Sequence, residues 1–239
     1  VRRVLMALFT IFAIATVTFF LMKAVPGNPF VSEKSPPQSV IDALNAKYGL
    51  DQPLHVQYKM YMGNLLKGDL GVSVKMSKNY PVINIIKNNF PTSAKIGAIA
   101  IGWALIVGVI LGCVSAYYRG KPADSTLRVV CTVGISMPSF VMANLLLLAL
   151  CGSGKPFPAM FDPSTWKSFV LPCAALGFYP MCYIARQTRT SMLDSLNQEY
   201  IKTARAKGLG TWKIVFKHAL RNAFIPVLTY LGPQIAFTL

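Results

Sequence analysis

Acidic residues are scarce in this chain of 239 residues, which has eight Asp and Glu against 24 Lys and Arg. Charged residues make up only 13% of the sequence and hydrophobic residues 54%. A soluble domain carries about a quarter charged residues. This composition predicts a membrane protein before any single segment is inspected.

None of the long apolar runs contains Asp or Glu. A proton-coupled carrier or pump normally needs a carboxylate or histidine relay inside the membrane. The sequence also lacks an Arg-rich voltage sensor and a TVGYG-type carbonyl filter. These absences disfavour a self-contained secondary transporter or channel and place the energy source in another chain.

Metal-binding and catalytic patterns are missing as well. The five cysteines form no C-x-x-C pair and lie in or beside apolar runs, which is typical of small apolar filler in helices. No nucleophile elbow or pair of carboxylates occurs. We therefore predict that the chain is not an enzyme and has no metal, no catalytic residue and no cofactor of its own. The cysteines are Cys113, Cys131, Cys151, Cys173 and Cys182.

Five stretches are long and apolar enough, or nearly so, to cross a bilayer as helices, which takes roughly 20 residues. The first is retained rather than cleaved, because no A-x-A-like site comes after it. The chain is predicted to be an all-α membrane protein, a polytopic helical bundle. The predicted spans are residues 1–25, 92–118, 129–150, 168–189 and 222–239.

All eight arginines lie at the start of the chain or in the second and fourth connections. The positive-inside rule then predicts a cytoplasmic N-terminus. Residues 26–91 form an external segment, with short helices expected at 37–48, 54–67 and 82–86. Basic residues on cytoplasmic flanks attract anionic membrane lipids, which accounts for most of the net charge of +16 without nucleic acid.

Small and kinking residues interrupt the predicted spans. Gly108 and Gly112 form a small-xxx-small pair, which either lets two helices approach closely or is incidental. Prolines recur at mid-span, as in kinked helices around a water-filled path or in ordinary packing kinks. Ser136, Pro138 and Ser139 are our candidates for lining a translocation path.

A basic, helix-friendly stretch, Glu199–Tyr230, follows the fourth span and leads into the fifth. A short helix is predicted with Glu199 in its first turn, capped by Ser195 or Asn197 and stopped at Gly208. It either docks into a groove on a soluble partner or rests on lipid headgroups as a connector. The candidate docking residues are Glu199, Tyr200, Lys202, Thr203, Ala204, Arg205, Ala206, Lys207 and Gly208.

The stretch EYIKTARAKGLGTWKIVFKHALRNAFIPVLTYLGP resembles the cytoplasmic loop of permease subunits of binding-protein-dependent ABC importers. It is most similar to the oligopeptide/dipeptide/nickel family, and within it to the oligopeptide "B" permeases. RRVLMALFTIFAIATVTFFLMKAVPGNPF, FPTSAKIG and GISMPSF also match. In the family motif E-A-A-x-x-x-G, Lys202, Thr203 and Ala204 take the first three places and Gly208 the last. The first two depart from the general form, as is typical of the peptide importers.

The resemblance implies the type I permease fold of ABC importers, with six spans. Five are visible here, so we expect the sequence to be C-terminally incomplete. It also implies that residues 92–239 form the permease core and that loop 190–221 carries a coupling helix. That helix fits a cleft on a separate ATPase subunit, which binds the ATP. A homologous second permease supplies the other half of the path, and an extracytoplasmic substrate-binding protein delivers the substrate.

The expected location is the inner or plasma membrane of a prokaryote, crossed several times. Peptides are the preferred substrate class, with nickel or another small solute as the alternative. A membrane-surface scaffold is a third interpretation, although it would not need five spans. We expect Ala204→Glu or Gly208→Pro to leave the subunit inserted but uncoupled from ATP use.

Overall fold

A computed structural model describes residues 2–25, 45–46, 49–73, 80–151 and 156–238. These residues are mostly helical, and the short strands β1 (Val72–Ser73) and β2 (Tyr80–Pro81) pair antiparallel, Val72 opposite Pro81 and Ser73 opposite Tyr80. A π-helical segment, Ile214–Ala219, precedes the last helix. The helices are α1 (Arg2–Ala24), α2 (Leu54–Leu66), α3 (Val82–Tyr117), α4 (Pro122–Ser136), α5 (Ser139–Leu150), α6 (Lys167–Leu196), α7 (Glu199–Ala206), α8 (Thr211–Lys213) and α9 (Leu220–Thr238).

The chain divides into two compact units, residues 1–89 and 90–239. In the first, α1 packs on α2 through aromatic rings: Phe19 is buried, with its ring centroid 5.3 Å from that of Tyr58. The hydroxyl groups of Tyr58 and Thr16 share a hydrogen bond of 2.8 Å. Most other apolar side chains of α1 are exposed, as expected of a helix that faces lipid or another membrane helix.

Among the described residues, α1, α3 and α6 are long and apolar enough to cross a membrane. Helices α4 and α5 are apolar enough together but are bent by 106° at the break between them. They add a fourth crossing if the pair is one broken span, and none if it is a re-entrant loop. The predicted span 129–150 is therefore two helices divided at Met137 and Pro138. The fifth predicted span, residues 222–239, falls on helix α9, which is not among the described helices that are long and apolar enough to cross a membrane.

The segment predicted to be external, residues 26–91, departs from the prediction near its C-terminal end. Residues 82–86 are not a separate piece but the start of α3, which continues through Pro91. Proline removes one backbone hydrogen bond yet keeps a helical φ, so a helix of 36 residues accommodates it. The predicted helix 54–67 is confirmed as α2. The predicted helix 37–48 lies outside the described residues except for residues 45–46, which are helical.

Helix α6 is the centre of the second unit, and glycines bring its neighbours close to it. A Cβ placed on Gly108 of α3 would lie 2.8 Å from the carbonyl oxygen of Met181. A Cβ on Gly112 would lie 2.5 Å from the Thr188 Cβ. A Cβ on Gly134 of α4 would lie 2.5 Å from the Cys182 sulfur. The Gly108 and Gly112 pair thus serves close helix packing.

We predict that Gly112→Ala destabilises the chain by about 1–3 kcal/mol, because the added methyl group forces α3 away from α6. Gly102→Ala is the matched control on the same helix, since a Cβ there meets nothing within 4 Å. Unfolding in mixed micelles, followed by tryptophan fluorescence, measures both. Equal stability of the two variants would contradict the close packing.

Candidate functional site

The short helix α7 is held to the rest of the chain by one face. Ile201 is 0% exposed and Ala204 is 6% exposed. They lie in a buried cluster that we call the junction cluster, because it joins five helical segments. Its residues are Cys113, Ala116, Met192, Ile201, Ala204, Ile214, Val215, Ala219 and Ala223. A displacement of α7 therefore acts directly on the ends of α3, α6 and α9.

The C-terminus of α7 ends in a Schellman motif. The Gly208 amide donates to the Arg205 carbonyl at 2.9 Å and the Leu209 amide to the Ala204 carbonyl at 3.3 Å. Gly208 has φ +73°, which glycine adopts at little cost. Leu209 packs against the junction cluster. The predicted stop at Gly208 is confirmed, and Leu209 is an additional anchor that the sequence pattern did not indicate.

The N-terminus of α7 is not capped as predicted. Ser195 is buried within α6, and Asn197 is the C-cap residue of α6. Gln198 occupies the cap position of α7 without a side-chain hydrogen bond to the helix. Helix α6 thus runs past the predicted span end at residue 189 and leaves only Asn197 and Gln198 between the two helices.

The opposite face of α7 is exposed and basic. Lys202 pairs with Glu199, with 2.8 Å between Nζ and Oε1, but both side chains are well exposed, so this pair adds little stability. Arg205 and Lys207 have no carboxylate partner among the described residues. Of the nine candidate docking residues, all but Ala204 are exposed: Glu199, Tyr200, Lys202, Thr203, Arg205, Ala206, Lys207 and Gly208.

Ala204 is one of the candidate docking residues, but its side chain faces inward. Its side chain packs inside the chain, so its small size accommodates the junction cluster and not an approaching partner. Ala206, which is exposed, is the small residue that a partner could approach. Ala204→Glu would therefore bury a charge and disturb folding, and it cannot serve as a clean test of coupling.

A buried ion pair connects three other helices, α3, α4 and α6. Asp124, 1% exposed, accepts two hydrogen bonds from Arg189, from Nε at 2.7 Å and Nη2 at 2.8 Å. It also accepts from the Ser115 hydroxyl at 2.7 Å and the Gly120 amide at 3.1 Å. Such a bidentate, fully bonded carboxylate fixes α3, α4 and α6 relative to one another.

Sequence reasoning missed this pair because it assigned the arginines to membrane topology alone. One signal was available. Asp124 comes two residues after Pro122, and a carboxylate is favoured in the first turn of a helix. That pattern predicts a helix start, but it does not identify Arg189, 65 residues away in the sequence, as the partner.

The comparisons with known proteins agree with this architecture. Residues 108–239 match the family described as "Binding-protein-dependent transport system inner membrane component", and residues 1–97 match the corresponding N-terminal family. The chain is 43% identical to the dipeptide transport system permease protein of Bacillus subtilis, over 95% of this chain and 73% of that protein.

Two further relatives are oligopeptide transport system permease proteins. The one of Salmonella typhimurium is 40% identical and the one of Escherichia coli K12 is 39% identical. Each alignment covers 97% of this chain and 76% of the relative. The chain belongs to this family of transport permeases. The family comprises membrane components of transport systems, not enzymes, and its description together with the apolar helices supports a multi-pass inner membrane protein.

In this permease, the three candidate path residues meet at the bend between α4 and α5. Ser136 is the last residue of α4, Pro138 precedes α5, and Ser139 is its first residue. All three are exposed, and the Ser136 hydroxyl donates to the Thr132 carbonyl at 3.0 Å. Proline disfavours a helical conformation of the residue before it, which ends α4 at this point. That they line a path stays a prediction.

We predict that Asp124→Asn lowers the free energy of unfolding by about 3 kcal/mol, because it leaves the partly buried Arg189 without its carboxylate. Arg128→Gln is the control. Its Nε lies 3.6 Å from the same carboxylate and its side chain is 52% exposed, so its loss costs no more than about 0.5 kcal/mol. Unfolding in mixed micelles measures both, and a similar loss in the two variants would contradict the proposed importance of the buried pair.

Proposed function

We propose that this chain is the transmembrane permease subunit of an ABC importer that takes up peptides. The functions for which its relatives are named, dipeptide and oligopeptide transport, support the substrate class. The subunit forms half of the translocation path beside a homologous second permease. Its N-terminus is cytoplasmic, its residues cross the inner membrane of a prokaryote five times, and an extracytoplasmic binding protein delivers the peptide.

The observation that carries the proposal is the two-sided character of α7. Its inner face is fixed in the junction cluster and its outer face presents exposed positive charge. A soluble ATPase subunit with an acidic cleft can bind that outer face. ATP is bound and hydrolysed in the partner, and this chain contributes the moving element.

Coupling is then a consequence of shared packing. Ile201 of α7, Met192 of α6 and Ala116 of α3 belong to one cluster, and packed helices shift together because interiors are dense. When the ATPase subunits close, the displaced α7 moves the cytoplasmic ends of these helices. A ligand on the opposite side biases the same element, so substrate and ATP affect each other through one equilibrium.

The partner interface is tested by charge reversal on the outer face. We predict that Arg205→Glu reduces recovery of the ATPase subunit at least about fivefold when the tagged full-length chain is isolated from its membrane, because like charges then face each other. Lys213→Glu, at the end of α8 and also exposed, is the control. Mass spectrometry of the co-purified proteins gives the amounts.

The Lys213→Glu control and the unaltered chain distinguish docking of α7 to an ATPase subunit from contact with lipid headgroups. If α7 only rests on anionic headgroups, no ATPase subunit is recovered even with the unaltered chain. If recovery depends only on the total positive charge of the loop, Arg205→Glu and Lys213→Glu lower it equally. Recovery of the unaltered chain alone, in a detergent that preserves a known importer, would contradict the importer proposal.

The end of α7 is tested by two proline variants. Gly208→Pro is expected to lower peptide uptake by at least about tenfold, because proline cannot adopt a positive φ and loses the amide that bonds to Arg205. Gly210→Pro is the matched control. Gly210 already has φ −64°, and its Cβ position is open. Uptake of a labelled peptide by the assembled transporter measures both, and normal uptake by Gly208→Pro would exclude a coupling role for this turn.

A further inference from the structure

A cleft of about 330 Å³ opens between α3, α4 and α6, and three arginines line it. Arg128 comes from α4, and Arg186 and Arg189 come from α6. The remaining polar lining consists of hydroxyl groups, and apolar side chains such as Leu111 and Ala185 contribute the rest of the walls. The cleft therefore combines an apolar surface with concentrated positive charge.

The positive charge of the cleft is only partly compensated. Asp124 accepts hydrogen bonds from both Nε and Nη2 of Arg189. Its Oδ1 lies farther from Arg128, at 3.6 Å from Nε. Arg186 has no carboxylate within ion-pair distance among the described residues. Its guanidinium carbon lies 5.9 Å from the centroid of the Tyr183 ring, a contact that orients it without neutralising it.

The hydroxyl groups do not supply the missing negative charge. Ser115 donates to Asp124, Thr132 donates to the Arg128 carbonyl, and Thr190 donates to the Arg186 carbonyl. Their protons are thus committed within the chain. The donors left for a ligand are guanidinium N–H groups, whose fixed fork matches the oxygens of a phosphate group.

We propose that this cleft binds a phosphate group, with Arg186 as its principal ligand and Arg128 and Arg189 completing the site. Asp124 fixes the plane of Arg189 and leaves the rest of its guanidinium edge for the ligand. The phosphate belongs to an anionic lipid headgroup or to a soluble phosphate compound. The apolar walls, and the position of Arg186 and Arg189 at the end of a predicted span, favour the lipid.

The test titrates the full-length chain in detergent with phosphatidylglycerol and counts bound lipids by native mass spectrometry. Arg186→Gln is expected to weaken phosphatidylglycerol binding roughly tenfold, the effect of losing one charge-assisted contact. Arg119→Gln is the matched control, because Arg119 is exposed in the connection before α4 and does not line the cleft. Binding of zwitterionic phosphatidylcholine measures the part of lipid binding that does not depend on the net negative charge of the lipid. Arg189 is left intact because breaking its buried pair would disturb folding.

A second arm distinguishes the two sources of phosphate. Inorganic phosphate is added at constant ionic strength, and its own binding to the unaltered chain and to Arg186→Gln is measured. A loss of phosphatidylglycerol binding in Arg186→Gln that Arg119→Gln does not show supports a lipid site. A loss of inorganic phosphate binding in Arg186→Gln that Arg119→Gln does not show supports a site for a soluble phosphate compound. Equal losses in Arg186→Gln and Arg119→Gln, or unchanged binding in both, overturn the proposal.

Discussion

Close backbone packing around α6 is the constraint on which the second unit depends. Apolar side chains gain nothing by leaving lipid for another apolar surface, so membrane helices are held by van der Waals contact and buried polar bonds. Gly108, Gly112 and Gly134 allow α3 and α4 to approach α6 to distances at which a single extra carbon would collide. That packing fixes α3 and α4 against α6, and the Asp124 ion pair and the junction cluster are built on these helices.

Two kinds of contact connect the helices around α7 and Asp124. The bond set of Asp124 connects α3, α4 and α6 through charge and hydrogen bonds. The junction cluster connects α3, α6, α7 and α9 through apolar contact. Helices α3 and α6 belong to both, so a displacement of α7 is passed to elements whose relative position the ion pair keeps fixed. A stiff connection of this kind transmits a shift instead of absorbing it.

Sequence reasoning recovered the features that depend on local pattern. The apolar character of α1, α3 and α6, the existence of α7 and its end at Gly208 can be predicted from composition, periodicity and the backbone freedom of glycine. It failed for features that depend on contacts between residues distant in the sequence. The inward face of Ala204 and the pairing of Asp124 with Arg189 depend on which helices meet. The bend at Pro138 has a local cause, but its size of 106° depends on how α4 and α5 each pack.

The π-helical segment after α8 shows how a local irregularity can serve the site. A π-helix adds a residue to a turn and shifts the faces of the next helical turns. Here Ile214, Val215 and Ala219 are buried in the junction cluster, whereas Trp212 and Phe216 remain exposed and stack with their ring centroids 5.0 Å apart. Exposed aromatic rings suit a membrane–water interface. Residues 211–219 therefore hold α7 from inside through their buried side chains, while their two stacked rings stay exposed on the other side.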